Sequence, residues 1–111
     1  MKLFTKPILE KLKKNHFTTL AAKGISVDHK PVIKIFNPYG TGTWLFTEMD
    51  PDEMLFGLAD IHCVELGYTA RRDIESRVFR GLGLERDMHF VANKTLSQYT
   101  KESKALGRIS V

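Results

Sequence analysis

Residues 31–60 read PVIKIFNPYGTGTWLFTEMDPDEMLFGLAD, and the order of elements in this stretch decides the fold. Pro31 to Phe36 is rich in β-branched and aromatic residues, as strands are. Asn37-Pro38-Tyr39-Gly40-Thr41-Gly42 then supplies turn chemistry. From Thr43 to Met49 the chain alternates, with Trp44, Phe46 and Glu48 on one side and Leu45, Thr47 and Met49 on the other. Both sides are largely apolar, so this strand belongs in the middle of a sheet. Asp50-Pro51-Asp52 ends it. Leu55 to Ile61 and Glu65 to Thr69 are shorter candidate strands. A parallel crossover needs about a dozen residues, so the short connections favour antiparallel neighbours.

Upstream, Thr5 can cap a helix whose first turn holds Pro7, where a missing N–H costs little. Leu9, Leu12, His16 and Leu20 fall on one face, flanked by Ile8 and Phe17, while Lys11 and Lys14 point away. The pattern predicts an amphipathic helix over 5–23, stopped by Gly24. Downstream, residues 71–79 read as a short helix, broken by Gly81 and Gly83. Leu84 to Val91 reads as a last strand. Thr95 opens a final helix, since Thr95 and Gln98 have capping-box spacing. Gly107 ends that helix and leaves a short mobile tail.

The expected fold is α+β: one domain over residues 1–111, with a small, mainly antiparallel sheet of four or five strands. A helix stands at each end of the chain and a short one between. Ile33, Ile35, Trp44, Leu45, Phe46, Phe56, Leu58, Leu66 and Phe90 should supply the core from the sheet side. Leu12, Phe17 and Leu20 should supply it from the first helix.

Composition narrows the classes further. The chain has 111 residues, room for one modest core. No apolar run approaches the ~20 residues of a bilayer span, and charged residues interrupt the region after Lys2 and Lys6 where a signal-peptide core would lie. The single cysteine, Cys63, rules out an internal disulfide and fits a reducing cytoplasm. Net charge is +4 but unevenly placed. Residues 1–30 carry seven lysines against two acidic residues, while residues 31–111 are close to neutral. No basic residue occurs between Lys34 and Arg71, where Glu48, Asp50, Asp52, Glu53, Asp60 and Glu65 all lie. Such asymmetry bears on partners rather than on fold.

The run from Pro31 to Asp60, with Glu65-Leu66-Gly67-Tyr68 and Glu85-Arg86-Asp87-Met88-His89-Phe90 after it, resembles a bacterial family known only as the domain of unknown function numbered 2958. The shared features are a strand ending in Lys34-Ile35-Phe36, Trp44-Leu45 with Thr47-Glu48 and Asp50-Pro51, then Phe56-Gly57-Leu58 with Asp60. Leu3 to Lys6 and Lys94-Thr95-Leu96-Ser97-Gln98-Tyr99 extend the resemblance over nearly the whole chain. It departs at Ile61-His62-Cys63-Val64, where a Gly- or Pro-containing loop is usual, and at Ala70 to Arg72, where a Ser is usual. The resemblance implies no activity, cofactor or site residue to carry over. It does imply a setting: cargo of plasmids, integrative elements and phages, often beside antirestriction-type genes.

Three constellations carry possible chemistry. Lys11 and Lys14, with Arg71, Arg72, Arg77 and Arg80, can neutralise phosphates if they share a side. The plainer reading is a solvated face, and neither aromatic interleaving nor a helix-turn-helix or zinc-finger pattern accompanies them. Glu48 and Asp50 lie two apart on one strand end, and Asp87 and His89 two apart on another. If those ends met, they could hold a divalent cation for hydrolysis. The plainer reading is that Asp50 caps a turn and that Glu85 or Asp87 pairs with Arg86 or with the arginine-rich helix. His62 and Cys63 are adjacent on a strand and so face opposite ways, with no CxxC or HxxxH partner. His16 reads as a packed histidine and His29 as exposed. Gly40-Thr41-Gly42 joins two strands with no helix to receive a phosphate, so it reads as a hairpin turn.

The leading expectation is a small, non-enzymatic interaction protein of a mobile element, without cofactor or bound metal. It would bind a host or element protein, counter-defence being the most concrete version. Asp50, Asp52, Glu53, Asp60 and Glu65 would form its acidic contact surface. A nucleic-acid-binding accessory protein using the basic residues is the second class. A small metal-dependent hydrolase using Glu48, Asp50, Asp87 and His89 is the third.

Overall fold

The structure, a computed structural model, describes residues 1–23, 27–79 and 82–111. Helix α1 (Lys6–Ala21) is followed by strands β1 (Ile33–Phe36), β2 (Thr43–Met49), β3 (Met54–Asp60) and β4 (Val64–Ala70). Helix α2 (Arg71–Ser76), three two-residue strands β5 (Val78–Phe79), β6 (Leu82–Gly83) and β7 (Glu85–Arg86), and helix α3 (Leu96–Leu106) complete the described elements. The main sheet has the order β4-β3-β2-β1-β7, and every pairing is antiparallel. β5 and β6 form a separate antiparallel pair. The α+β class, the central place of β2 and the helix at each end are as the sequence leads one to expect.

The sheet is covered on both faces. On one, Leu12 of α1 and Ile74 of α2 pack with Ile33, Ile35, Trp44, Phe46, Met49 and Leu55. On the other, Leu96 and Tyr99 of α3 pack with Leu45 and Leu58. Gly57 lies under a crowded point of the first face: a Cβ there would stand 1.9 Å from the carbonyl oxygen of Leu45. Only glycine allows β2 and β3 to come that close.

The strict alternation expected along β2 fails at Thr47. Phe46 pairs with Gly57, but Glu48 already pairs with Phe56, so the register shifts by one residue. This is a β-bulge, which leaves one residue unpaired and re-aims those after it. Met49 therefore joins Trp44 and Phe46 in the α1-side core. Glu48 is turned to the other face, in one row with Phe56 and Tyr68. Alternation alone has no means to register an inserted residue.

Other expectations are corrected. Phe17 and Leu20 are 59% and 58% exposed, because the buried stripe of α1 runs through Leu12 and Asn15 instead. Leu66 is exposed too, since it sits on an outermost strand. The middle helix stops at Ser76 and the chain turns extended into β5, so only six of its expected nine residues are helical. The last strand is two residues long, because Asp87 accepts a hydrogen bond from the His89 N–H and starts a turn. Leu82-Gly83, where Gly83 was expected only to break the helix, forms a short strand. Gly24 and Gly81, expected as stops, lie outside the described residues.

The helix ends follow their sequence signals more closely. Thr5 occupies the N-cap of α1 with Pro7 in the first turn, although its side chain makes no capping bond. Thr95 and Gln98 form the full capping box of α3, and Gly107 closes that helix in the left-handed conformation. The tail beyond Gly107 is tethered rather than free. Ile109 donates its N–H to Asp60 Oδ2, and Lys34 donates to the carbonyl of Val111.

Candidate functional site

The sheet ends determine where the chemically capable side chains go. At the end of β2, beyond the Ile33–Phe46 pair where β1 no longer flanks it, α1 lies against the strand. Asn15, almost fully buried, donates its amide Nδ2–H to the carbonyl of Thr47 at 3.0 Å. The bulge leaves that carbonyl without a ladder partner, and a buried unpaired carbonyl would cost about 1–3 kcal/mol.

The next residue, Glu48, lies between two histidines. Its Oε1 is 3.9 Å from His16 Nδ1 of α1 and its Oε2 3.9 Å from His29 Nε2, in the segment before β1. The Glu48 and His29 side chains are each only 12% exposed. His29 Nε2 also lies 3.0 Å from the Thr19 hydroxyl. The 3.9 Å separations exceed hydrogen-bonding distance. His29, expected at the surface, is thus mostly buried. Nothing local in the sequence links these three residues, and the tertiary fold brings them together. Asn15 did leave a signal: a polar residue three positions after Leu12 on the buried stripe.

Asp28 beside this cluster fastens α3. Its carboxylate accepts hydrogen bonds from both the N–H and the hydroxyl of Ser97. Burial pushes its pKa up, but the Ser97 bonds, with Thr95 and the nearby His29, outweigh that and hold the carboxyl below its ordinary value.

The other carboxylates are dispersed. Asp50 spends Oδ1 on the N–H groups of Asp52 and Met54, capping the β2–β3 turn. Glu53 closes that turn in the left-handed conformation and pairs with Arg71 at 2.9 Å. Asp60 lies at the opposite end of β3, about 20 Å away for a strand of that length, and holds Ile109. Asp52 and Glu65 are exposed, with no ion-pair partner among the described residues. The five acidic candidates therefore form two groups, one at each end of β3. Asp87 lies beyond β1, where Lys34 meets it at 3.5 Å, and His89 is exposed in the following turn. Glu48 and Asp50 are not brought to Asp87 and His89. Among the described residues no group of three or more His, Cys, Asp or Glu is arranged to hold a metal ion.

The basic candidates are dispersed as well. Lys11 and Lys14 are exposed on α1. Arg71 is engaged by Glu53 and by Glu75 at 3.1 Å, with its guanidinium 5.6 Å from the Phe4 ring. Arg77 stacks 5.4 Å from the Trp44 ring, where it covers the core. Arg72 is exposed, and Arg80 lies outside the described residues. Cys63 is exposed at the β3–β4 turn. No described helix is long and apolar enough to cross a membrane.

The outermost strand β4 presents a long edge. It is seven residues long and pairs with β3 without a break from Val64 to Ala70. No described strand pairs with its other side. Leu66 and Tyr68, 44% and 66% exposed, project from it on the face that also carries Phe56, whose ring lies 5.1 Å from that of Tyr68.

These features define an α+β protein with a five-stranded antiparallel sheet, helices on both faces and an open edge. The chain belongs to the family described as Protein of unknown function (DUF2958), which residues 3–110 match. No curated protein and no solved structure matches it.

Proposed function

We propose that this is a non-enzymatic interaction protein of a mobile genetic element that binds a protein effector through the open edge of β4. Counter-defence, by occupying a restriction or CRISPR effector, is the most concrete form of this role. The observation that supports it is the unguarded edge. Soluble proteins protect such edges with lysines, prolines, bulges or a short strand. β4 has none of these: it reads VELGYTA over seven residues, in unbroken register. An extended segment of a partner can add to it as a further strand, taking affinity from main-chain hydrogen bonds and specificity from alternate side chains. Leu66 and Tyr68 would supply the apolar contacts. Asp60 and Glu65 add negative charge beside them, which favours a partner strand flanked by basic residues.

The test is affinity capture from a bacterial lysate, divided into nuclease-treated and untreated halves, using the natural protein and a Leu66→Lys/Tyr68→Lys variant. A protein that survives nuclease treatment and is lost with the variant is the expected result. Recovery of nucleic acid, with companions that vanish after nuclease, would instead favour the basic residues of α1. Retention of the same partner by the variant would remove β4 from the interface.

A further inference from the structure

We infer that the hollow between α1, the His29–Val32 run and the Phe90–Ala92 segment binds a small phosphate-bearing molecule with a flat, largely apolar body, a nucleoside monophosphate in kind. The hollow measures about 510 Å³, within the usual range of about 300–1,000 Å³ for small-molecule sites. Its polar lining is Lys11, Lys30, His29 and Asn15, and Val32, Phe90 and Ala92 are among its apolar lining residues.

Charge distinguishes this hollow from the others described. One beside Leu82–Glu85 carries Glu75 and Glu85 with Lys2, one beside β7 carries Glu85 and Asp87 with Lys34 and Arg86, and one between α1 and the β2–β3 turn carries Asp50 and Glu53 with Lys13 and Arg71. The hollow at His29 has no carboxylate among its lining residues, and two lysines, Lys11 and Lys30, line it from different segments. Lysines of this kind meet phosphate as point charges. An anion therefore meets lysines without a lining carboxylate here, whereas in the other hollows acidic and basic residues stand together.

The polar groups of its wall are held in place. Asn15 is fixed by its bond to the Thr47 carbonyl, and its Oδ1 receives no hydrogen bond from any described residue. A hydroxyl or amino group on the ligand would supply one. His29 is steadied by Thr19 and Glu48, and Asp28 and Lys30 flank it in sequence. The ring of Phe90, half-buried and 6.3 Å from that of Tyr99, offers an aromatic surface against which a planar group can pack. Phosphate at the lysines, a sugar-like hydroxyl at Asn15 and a planar group at Phe90 together describe the ligand class.

The experiment is a titration of the ¹⁵N-labelled protein with adenosine monophosphate, adenosine and inorganic phosphate, followed by NMR. The reporters are the Asn15 side-chain amide and the backbone amides of Val32 and Ala92. Adenosine monophosphate is expected to shift these signals, with adenosine and phosphate each at least about tenfold weaker, a difference near 1.4 kcal/mol. A Lys11→Gln/Lys30→Gln variant should keep the native spectrum, since both residues are exposed, and bind at least about tenfold more weakly. No shift at about 10 mM nucleotide, weaker than any useful site, would overturn the inference. So would equal binding of adenosine, equal binding of phosphate, unchanged affinity in the double variant, or shifts confined to the other hollows.

Discussion

The two outermost strands of the sheet are treated in opposite ways. β7 is two residues long and charged, and the N-terminus laps over it. The Arg86 guanidinium donates to the carbonyls of Lys2 and Leu3, both at 2.7 Å, and the Arg86 N–H meets Met1 Sδ at 3.2 Å. β4 at the other side is seven residues long, contains no basic residue or proline, and presents its outer side without a strand partner among the described residues. Shortness, charge and a covering segment are common devices against edge-to-edge association. This fold applies all three to β7, whereas β4 is long and uncovered by a described strand and carries the single charge of Glu65, which is why the proposed contact is placed there.

The largest test of this contrast removes the strand that carries the open edge. Gly57 pairs with Gly67 at the middle of the β3–β4 ladder, and a Cβ at Gly57 would collide with the Leu45 carbonyl. Gly57→Ala should destabilise by about 3 kcal/mol or more, since overpacking against backbone has little room to relax. Chemical denaturation measures it, and a loss under about 1 kcal/mol would mean that β2 and β3 yield more easily than their spacing suggests.

Opening the guarded edge comes next. Arg86→Ala deletes two charge-assisted hydrogen bonds and should cost about 1.5–3 kcal/mol. It should also raise the tendency to self-associate, visible by light scattering. A stable, monomeric variant would show that the N-terminal segment guards β7 without Arg86.

The Asp28–Ser97 contact fastens α3, the helix that covers the face shared by β3 and β4. Because the folded-state pKa of Asp28 is lowered, its stabilisation is fully present above the ordinary carboxylate value, near 3.9. It disappears as pH falls through the folded value. Melting temperatures of the natural protein and Asp28→Asn should therefore differ at neutral pH and converge in acid. A gap that persisted in acid would assign the effect to lost hydrogen bonds rather than to charge.

The smallest effect on stability is expected at the open edge itself. Leu66→Lys/Tyr68→Lys changes exposed side chains and should move stability by no more than about 0.5 kcal/mol per site. Partner capture should nonetheless be lost. A large loss of stability would mean that the Phe56–Tyr68 contact supports the fold, and the open-edge reading would weaken accordingly.

Much of the architecture follows from local chemistry that a linear reading can see. Turn residues at Asn37–Gly42 and Asp50–Asp52, the apolar alternation from Thr43 to Phe46, and the Thr95–Gln98 box each act within a few residues. They determined the α+β class, the antiparallel order and the ends of α3. Tertiary packing decided the rest. The bulge at Thr47 answers to the close approach of Gly57 and to Asn15 arriving from α1, 32 residues earlier. With α1 and the segment before β1, it sets Glu48 between His16 and His29. Likewise, periodicity marks Phe17, Leu20 and Leu66 as apolar, but only the positions of α1 and β4 in the assembled sheet leave them in solvent. An alternating pattern encodes which side of its own strand a residue takes. What lies opposite that side, if anything, is a property of chain segments far apart in sequence.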